Sequence, residues 1–237
     1  RSAGGEGKTW AEQLDELAIE ISSKIPNEFD IEKAIIKFPV LYEESMNTVL
    51  VQEAERYNNL LVVLHESLRL LPLALKGLVV LSAELEAMAT AVFDQRVPEI
   101  WTAKAYPSLK PLNAWFKDLV QRLDFLHDWI DNGVPKSFWI SGFYFPQGFL
   151  TACLQNYARK QSYPIDTVAF SFILLDKTSE ELTEKPEDGC YIWGIYFEGA
   201  RWSAEDRSLV DPRPKELFSS CPPIHMAPVQ NRETPES

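Results

Sequence analysis

Residues 154–174, LQNYARKQSYPIDTVAFSFIL, contain the change of period that decides the fold class. Before Pro164, Phe149, Leu150, Leu154 and Tyr157 recur at helical spacing, and Pro146 suits the first turn, so a helix is expected over 146–159. Beyond Pro164, Val168, Phe170, Phe172 and Leu174 alternate with smaller or polar residues, the period of a strand. Further on, residues 191–197 are apolar on both faces except at Gly194 and read as a strand covered on two sides. The intervening residues 176–188 hold six acidic residues and two lysines and are expected to form a solvated hairpin loop. Residues 138–140 and 224–229 are further strand candidates, with Pro228 better suited to an edge.

Working back toward the N-terminus, the spacing is helical. Leu14, Leu17, Ala18, Ile21 and Ile25 form one stripe that Pro26 ends. A short helix follows Asp30, its N-cap, with Ile31, Ile35 and Phe38 inward. Leu50, Ala54, Tyr57, Leu61, Leu64, Leu68 and Leu71 define a long helix over 47–71. After Pro72 a second helix is expected to run to about Phe93 through Leu75, Leu78, Val79, Leu85, Met88 and Val92, antiparallel to the first because the connection is short. Residues 97–111 read as an irregular crossing. Leu112, Trp115, Phe116, Leu119, Leu123, Leu126 and Ile130 then mark a helix that Asn132-Gly133 stops. The expectation is an α+β fold, with a glycine-rich linker at 1–8, a helical block at 9–134, and a helix with a small antiparallel, incomplete β-barrel at 135–237.

Composition excludes several functional classes. Lys and Arg number 23 and Asp and Glu 35, for a net charge of −12 over 237 residues, which repels phosphate backbones and anionic membranes, so neither nucleic acid nor membrane is an expected partner. Cys153, Cys190 and Cys221 lack CxxC spacing and read as reduced, buried thiols of a cytosolic protein. His65, His127 and His225 have no metal-ligand spacing. Gly4-Gly5-Glu6-Gly7-Lys8-Thr9 ends like a phosphate-binding loop, but Ser2 stands where that motif needs its first glycine. No nucleophile sits on a glycine elbow, and Trp115, Trp129, Trp139, Trp193 and Trp202 read as core or interface residues.

Seven stretches carry a resemblance to a known family: FPVLYEESMNTVLVQE (38–53), ERYN (55–58), YPSLKPL (106–112), GFYFPQGFLT (142–151), LQNYARK (154–160), PIDT (164–167) and EGARW (198–202). In this order they resemble the C-terminal region of dynein heavy chains, and the wording of FYFPQG (143–148) resembles the axonemal members. Ala152-Cys153 departs from the glycine and small apolar residue of the family pattern. The resemblance implies a segment that follows the sixth AAA+ module, with the end of that module's lid near the N-terminus. It implies no catalytic, cofactor or metal residue in this chain. It singles out Glu53, Arg56, Asn58, Pro146, Gln155, Asn156, Arg159, Arg201 and Trp202 as candidate ring-interface or structural residues.

The function this resemblance implies is regulatory and structural: bracing the AAA+ ring of its own heavy chain in a minus-end-directed motor of cilia or flagella. ATP and magnesium would act in the ring, and microtubules, intermediate chains and light chains would be reached through other parts of the parent. The location implied is the cytoskeleton, at the axoneme. The alternative from another class is a stand-alone enzyme or small-molecule-binding domain with a pocket between the helical and β halves.

Overall fold

The computed structural model describes residues 7–231. Two compact units are present, one formed by the chain up to Ile31 with Ala54–Asp124, the other by Glu32–Glu53 with the chain from Phe125 onward.

The first unit is helical. Helix α1 (Trp10–Lys24) begins at a capping box in which the Thr9 hydroxyl accepts from the Glu12 amide and the Glu12 carboxylate accepts from the Thr9 amide. Lys8 pairs with Glu16 at 2.7 Å, so the described part of the Gly-Lys-Thr triplet serves a helix start, while Ser2, Gly4, Gly5 and Glu6 of the phosphate-loop reading lie outside the described residues. Helix α3 (Ser45–Leu75) does not stop at Pro72. Leu64, Leu68, Leu71 and Ala74 form one buried stripe on both sides of the proline, and burial of the last turn outweighs the single backbone bond that the proline lacks. The break comes instead at Gly77, and the helix expected to run continuously to Phe93 is shorter: α4 (Ala83–Phe93), capped by Ser82. It comes close to α1 and to α5 (Glu99–Thr102). That small α5 interrupts the stretch expected to be irregular and supplies Trp101, whose indole N–H donates to Ser67 Oγ at 2.8 Å. Trp101, Trp115 and Tyr106 stack in series, with Trp115 on α6 (Leu112–Asn132).

The second unit joins α2 (Ile31–Lys37) and the first turns of α3 to the end of α6 and all the strands. On α2 it is Ala34, with Phe38 beyond it, that is buried; Ile35, expected inward, is 46% exposed. Strands β1 (Ser137–Trp139), β2 (Val168–Leu174), β3 (Cys190–Trp193) and β8 (Ile224–Gln230) make a four-stranded sheet of order β1-β3-β8-β2. Helix α7 (Pro146–Gln161) separates β1 from β2 in sequence. Strands β4 (Tyr196–Glu198) and β7 (Phe218–Ser220) form one ribbon, and β5 (Arg201–Ser203) and β6 (Ser208–Val210) another. All pairings are antiparallel except β1 with β3, so the α+β class and the unclosed, mainly antiparallel β region are as expected.

Three strand expectations are corrected. Residues 191–197 are not one strand, because Gly194 at φ +93° turns the chain between β3 and β4, which lie in different sheets. Residues 176–188 are not a hairpin loop, because β8 lies between β2 and β3. Pro228 is therefore on a central strand. It is tolerated because β3 pairs only with residues 224–226 of β8, which leaves Pro228 no ladder bond to donate on that side.

Candidate functional site

Seven of the nine residues singled out from the sequence lie on α3, on α7 or at their starts, and the structure explains several of them through one device. An α-helix begins with backbone N–H groups that have no partner within the helix. At the start of α3, Asn156 Oδ1, from α7, accepts from the Ser45 amide at 2.8 Å, and the Glu44 carboxylate accepts from the Met46 amide at 3.0 Å. Asn156 Nδ2 donates to that same Glu44 carboxylate at 2.6 Å, so the acceptor is held in place. At the entry to α7 the roles reverse. Glu53, from α3 and 0% exposed, accepts from the Tyr144 amide at 2.6 Å and the Phe145 amide at 3.0 Å. Pro146 follows as the first helical residue, where its missing N–H costs nothing. Each helix thus satisfies the backbone at the start of the other.

Arg159, one turn beyond Asn156, extends the fastening. Its Nη1 donates to Tyr42 O and to Ser45 Oγ, both at 2.6 Å, and its guanidinium lies 4.5 Å from the Tyr42 ring centroid. The next residue, Lys160, pairs with Asp188 at 2.5 Å, and that hydrogen bond holds the ammonium pKa above its usual value. These side chains border an open cleft of about 550 Å3. Beneath it, Cys153 of α7 lies beside Cys190 of β3; the thiol contact and burial push the Cys190 pKa far above the usual thiol range. All three cysteines are free and buried. Ala152, the other departure from the family pattern, is buried in α7 as well.

The remaining singled-out residues lie elsewhere. Asn58 is in the first unit, where it accepts from the Phe29 amide at 2.7 Å and donates to the Phe29 carbonyl at 2.9 Å. Arg56 and Gln155 are half-buried on α3 and α7. Arg201 and Trp202 are half-buried on β5, and Trp202 with Trp193 and Cys221 lines a separate cavity of about 500 Å3.

Sequence reasoning missed the partners Tyr42, Glu44 and Ser45, although their position just before a strong apolar stripe was a usable sign of a helix start. It also missed a buried network in the first unit. Arg122 Nε donates to Asp118 at 2.8 Å, its Nη1 donates to the Tyr57 hydroxyl at 3.4 Å, and its guanidinium lies 3.6 Å from the Tyr106 ring centroid. Burial works against the charge, but Tyr57, Tyr106 and Asp118 together hold the Arg122 pKa above its usual value. Charged residues at i and i+4 within the apolar stripe of α6 were the available signal.

Among the described residues no three His, Cys, Asp or Glu side chains come together in a way that could hold a metal ion, and no helix is long and apolar enough to cross a membrane. Apolar exposure is high in the stretch leading into α3: Ile36 is 82% exposed, Val40 80% and Tyr42 73%.

The family of C-terminal domains of dynein heavy chains matches residues 1–237. Dynein axonemal heavy chain 1 of Rattus norvegicus is 52% identical over 98% of this chain. Dynein axonemal heavy chain 12 of Homo sapiens and dynein axonemal heavy chain 3 of Mus musculus are 47% and 48% identical, each over 96% of it. The chain spans only 5% to 7% of the length of these relatives. With its whole length matched and about half its residues shared, the chain belongs to the family of C-terminal domains of dynein heavy chains.

Proposed function

We propose that this chain is a non-catalytic brace within an axonemal dynein heavy chain, a rigid element that biases the AAA+ ring and so modulates ATP-driven, minus-end-directed movement along microtubules. The observation that carries this reading is the reciprocal fastening of α3 and α7. Glu53, Asn156 and Arg159 direct their polar groups at the backbone and side chains of their own unit, an arrangement suited to stiffness rather than to turning over a substrate. Beside the fastened start of α3, the exposed Ile36, Val40 and Tyr42 provide apolar surface of the kind that packs against another part of a longer polypeptide. ATP and magnesium belong, on this reading, to the ring; microtubules, intermediate chains and light chains are met by other parts of the heavy chain, at the axoneme of cilia or flagella.

The test is made in the full-length heavy chain, with the double substitution Ile36→Asp and Val40→Asp. Both positions are exposed, so the unit itself folds. A lost ring contact should leave ATP hydrolysis possible and change its microtubule stimulation and the stall force several-fold, since coupling between sites is typically ~1–3 kcal/mol. If both quantities match the unsubstituted motor, the brace reading fails. If hydrolysis vanishes in a folded ring, the domain does more than brace. Micromolar binding of Mg-ATP by the 237-residue chain on its own would overturn the non-catalytic assignment.

A further inference from the structure

The outer edge of the four-stranded sheet is β2, whose seven residues VAFSFIL carry no charge although the net charge of the whole sequence is −12. Its neighbour β8 pairs with it along its whole length, and among the described residues no strand pairs with its other side. Residues from both of its faces are in solvent there: Phe172 is 65% exposed and Ile173 46%. Natural sheets usually blunt such an edge with charge, proline or a bulge, and β2 has none of these.

The register shows which backbone groups face outward. In an antiparallel pair, residues alternate between directing both N–H and C=O at the partner and directing both away from it. Thr167 O accepts from Asn231 N and Leu175 N donates to Pro223 O, so the odd-numbered residues of β2 face β8. Pro228, opposite Phe170, has no N–H to give and its Cδ lies toward Gly189, on the β3 side. The amides and carbonyls of Phe170 and Phe172 therefore point at the open edge, as do the carbonyl of Val168 and the backbone of Leu174; the Val168 amide is already bonded to Ile165 O.

We infer that β2 pairs antiparallel with β2 of a second copy of this chain, about a two-fold axis at Ser171. The strand is a pseudo-palindrome about that residue. The axis sets Phe170 against Phe172 of the other copy, Ala169 against Ile173 and Val168 against Leu174, so every facing pair but the central serines is apolar. Cross-strand pairs of this kind are the stabilising unit of sheets. Phe170 and Phe172 exchange four backbone hydrogen bonds across the axis and the strand ends add two, about six in all. The contact is isologous and closes on itself, which gives a dimer rather than a fibre. A single strand pair buries less than a standard interface, so the association is weak and reversible.

The test uses the intact 237-residue chain. Sedimentation equilibrium should show monomer and dimer exchanging with concentration. Hydrogen exchange should show the Phe170 and Phe172 amides becoming protected as the dimer forms, while the Ala169, Ser171 and Ile173 amides, already bonded to β8, do not change. Ser171 is exposed, so Ser171→Lys and Ser171→Glu fold, and each should weaken self-association about fivefold through like charges facing at the axis. Mixing the two variants should restore association as a heterodimer. A protein that stays monomeric up to its solubility limit overturns the inference. So does a dimer with unprotected Phe170 and Phe172 amides, or one that neither charge weakens. Capture of a free VAFSFIL peptide without self-association would also overturn it, by showing that the edge takes a foreign strand.

Discussion

Replacing Glu53 with glutamine tests the reciprocal fastening most directly. The carboxylate is 0% exposed and accepts from two backbone amides, at 2.6 and 3.0 Å. Hydrogen bonds to a charged acceptor are worth about 1.5–3 kcal/mol each, so the pair contributes roughly 3–6 kcal/mol before water is considered. Tyr144 is half-buried and Phe145 exposed, so water replaces part of the loss. Glutamine keeps the volume and one acceptor but turns an –NH2 toward an amide that needs an acceptor. The expected cost is about 2–4 kcal/mol. Because two compact units need not unfold together, a global denaturation curve alone is a blunt measure. Hydrogen exchange at Tyr144 and Phe145 reports the opening locally and should accelerate, while urea denaturation followed by circular dichroism gives the total. The control is Glu55→Gln, two positions along α3 and exposed, which should change stability by no more than about 0.5 kcal/mol. A Glu53→Gln cost as small as the control's, with exchange at Tyr144 and Phe145 unaltered, would refute the claim that α3 holds the entry to α7.

Two further predictions concern the β region. Gly189 has φ +79° and a Cβ there would lie 2.0 Å from Met226 O, so Gly189→Ala should cost more than about 3 kcal/mol and deplete soluble protein, whereas Gly199→Ala, at φ +66° with nothing within 4 Å, should cost only about 1 kcal/mol in thermal denaturation. Cys190, held protonated by Cys153 and by burial, contributes stability that is complete below the ordinary thiol value of 9.0 and is lost as pH rises above it, because the unfolded state then releases a proton that the folded state retains. Cys190→Ala should flatten the alkaline part of the stability profile, and an unchanged slope would show that another group controls it.

The elements that the sequence determined by itself are those whose cause is local. The stripes of α1, α3 and α6, the stop at Gly133 and the switch to period two at Val168 follow from which residues a helix or a strand turns to one face, and that depends on neighbours a few positions away. The family stretches, too, were legible without coordinates. Tertiary structure alone decided whatever depends on which distant segment arrives. Pro72 reads as a stop, yet α3 passes through it because burial of Leu71 and Ala74 outweighs one missing backbone bond. Pro228 reads as an edge residue, yet β8 is central, paired with both β2 and β3, and the proline is tolerated because β3 stops short of it. Glu53 was recognisable as a family residue, but the sequence places it off the apolar stripe of α3, and neither its burial nor its partners are legible there. Those partners are amides 91 and 92 positions away, and only the folded protein sets them against the carboxylate, where the cost of burying a charge leaves no arrangement but a satisfied one.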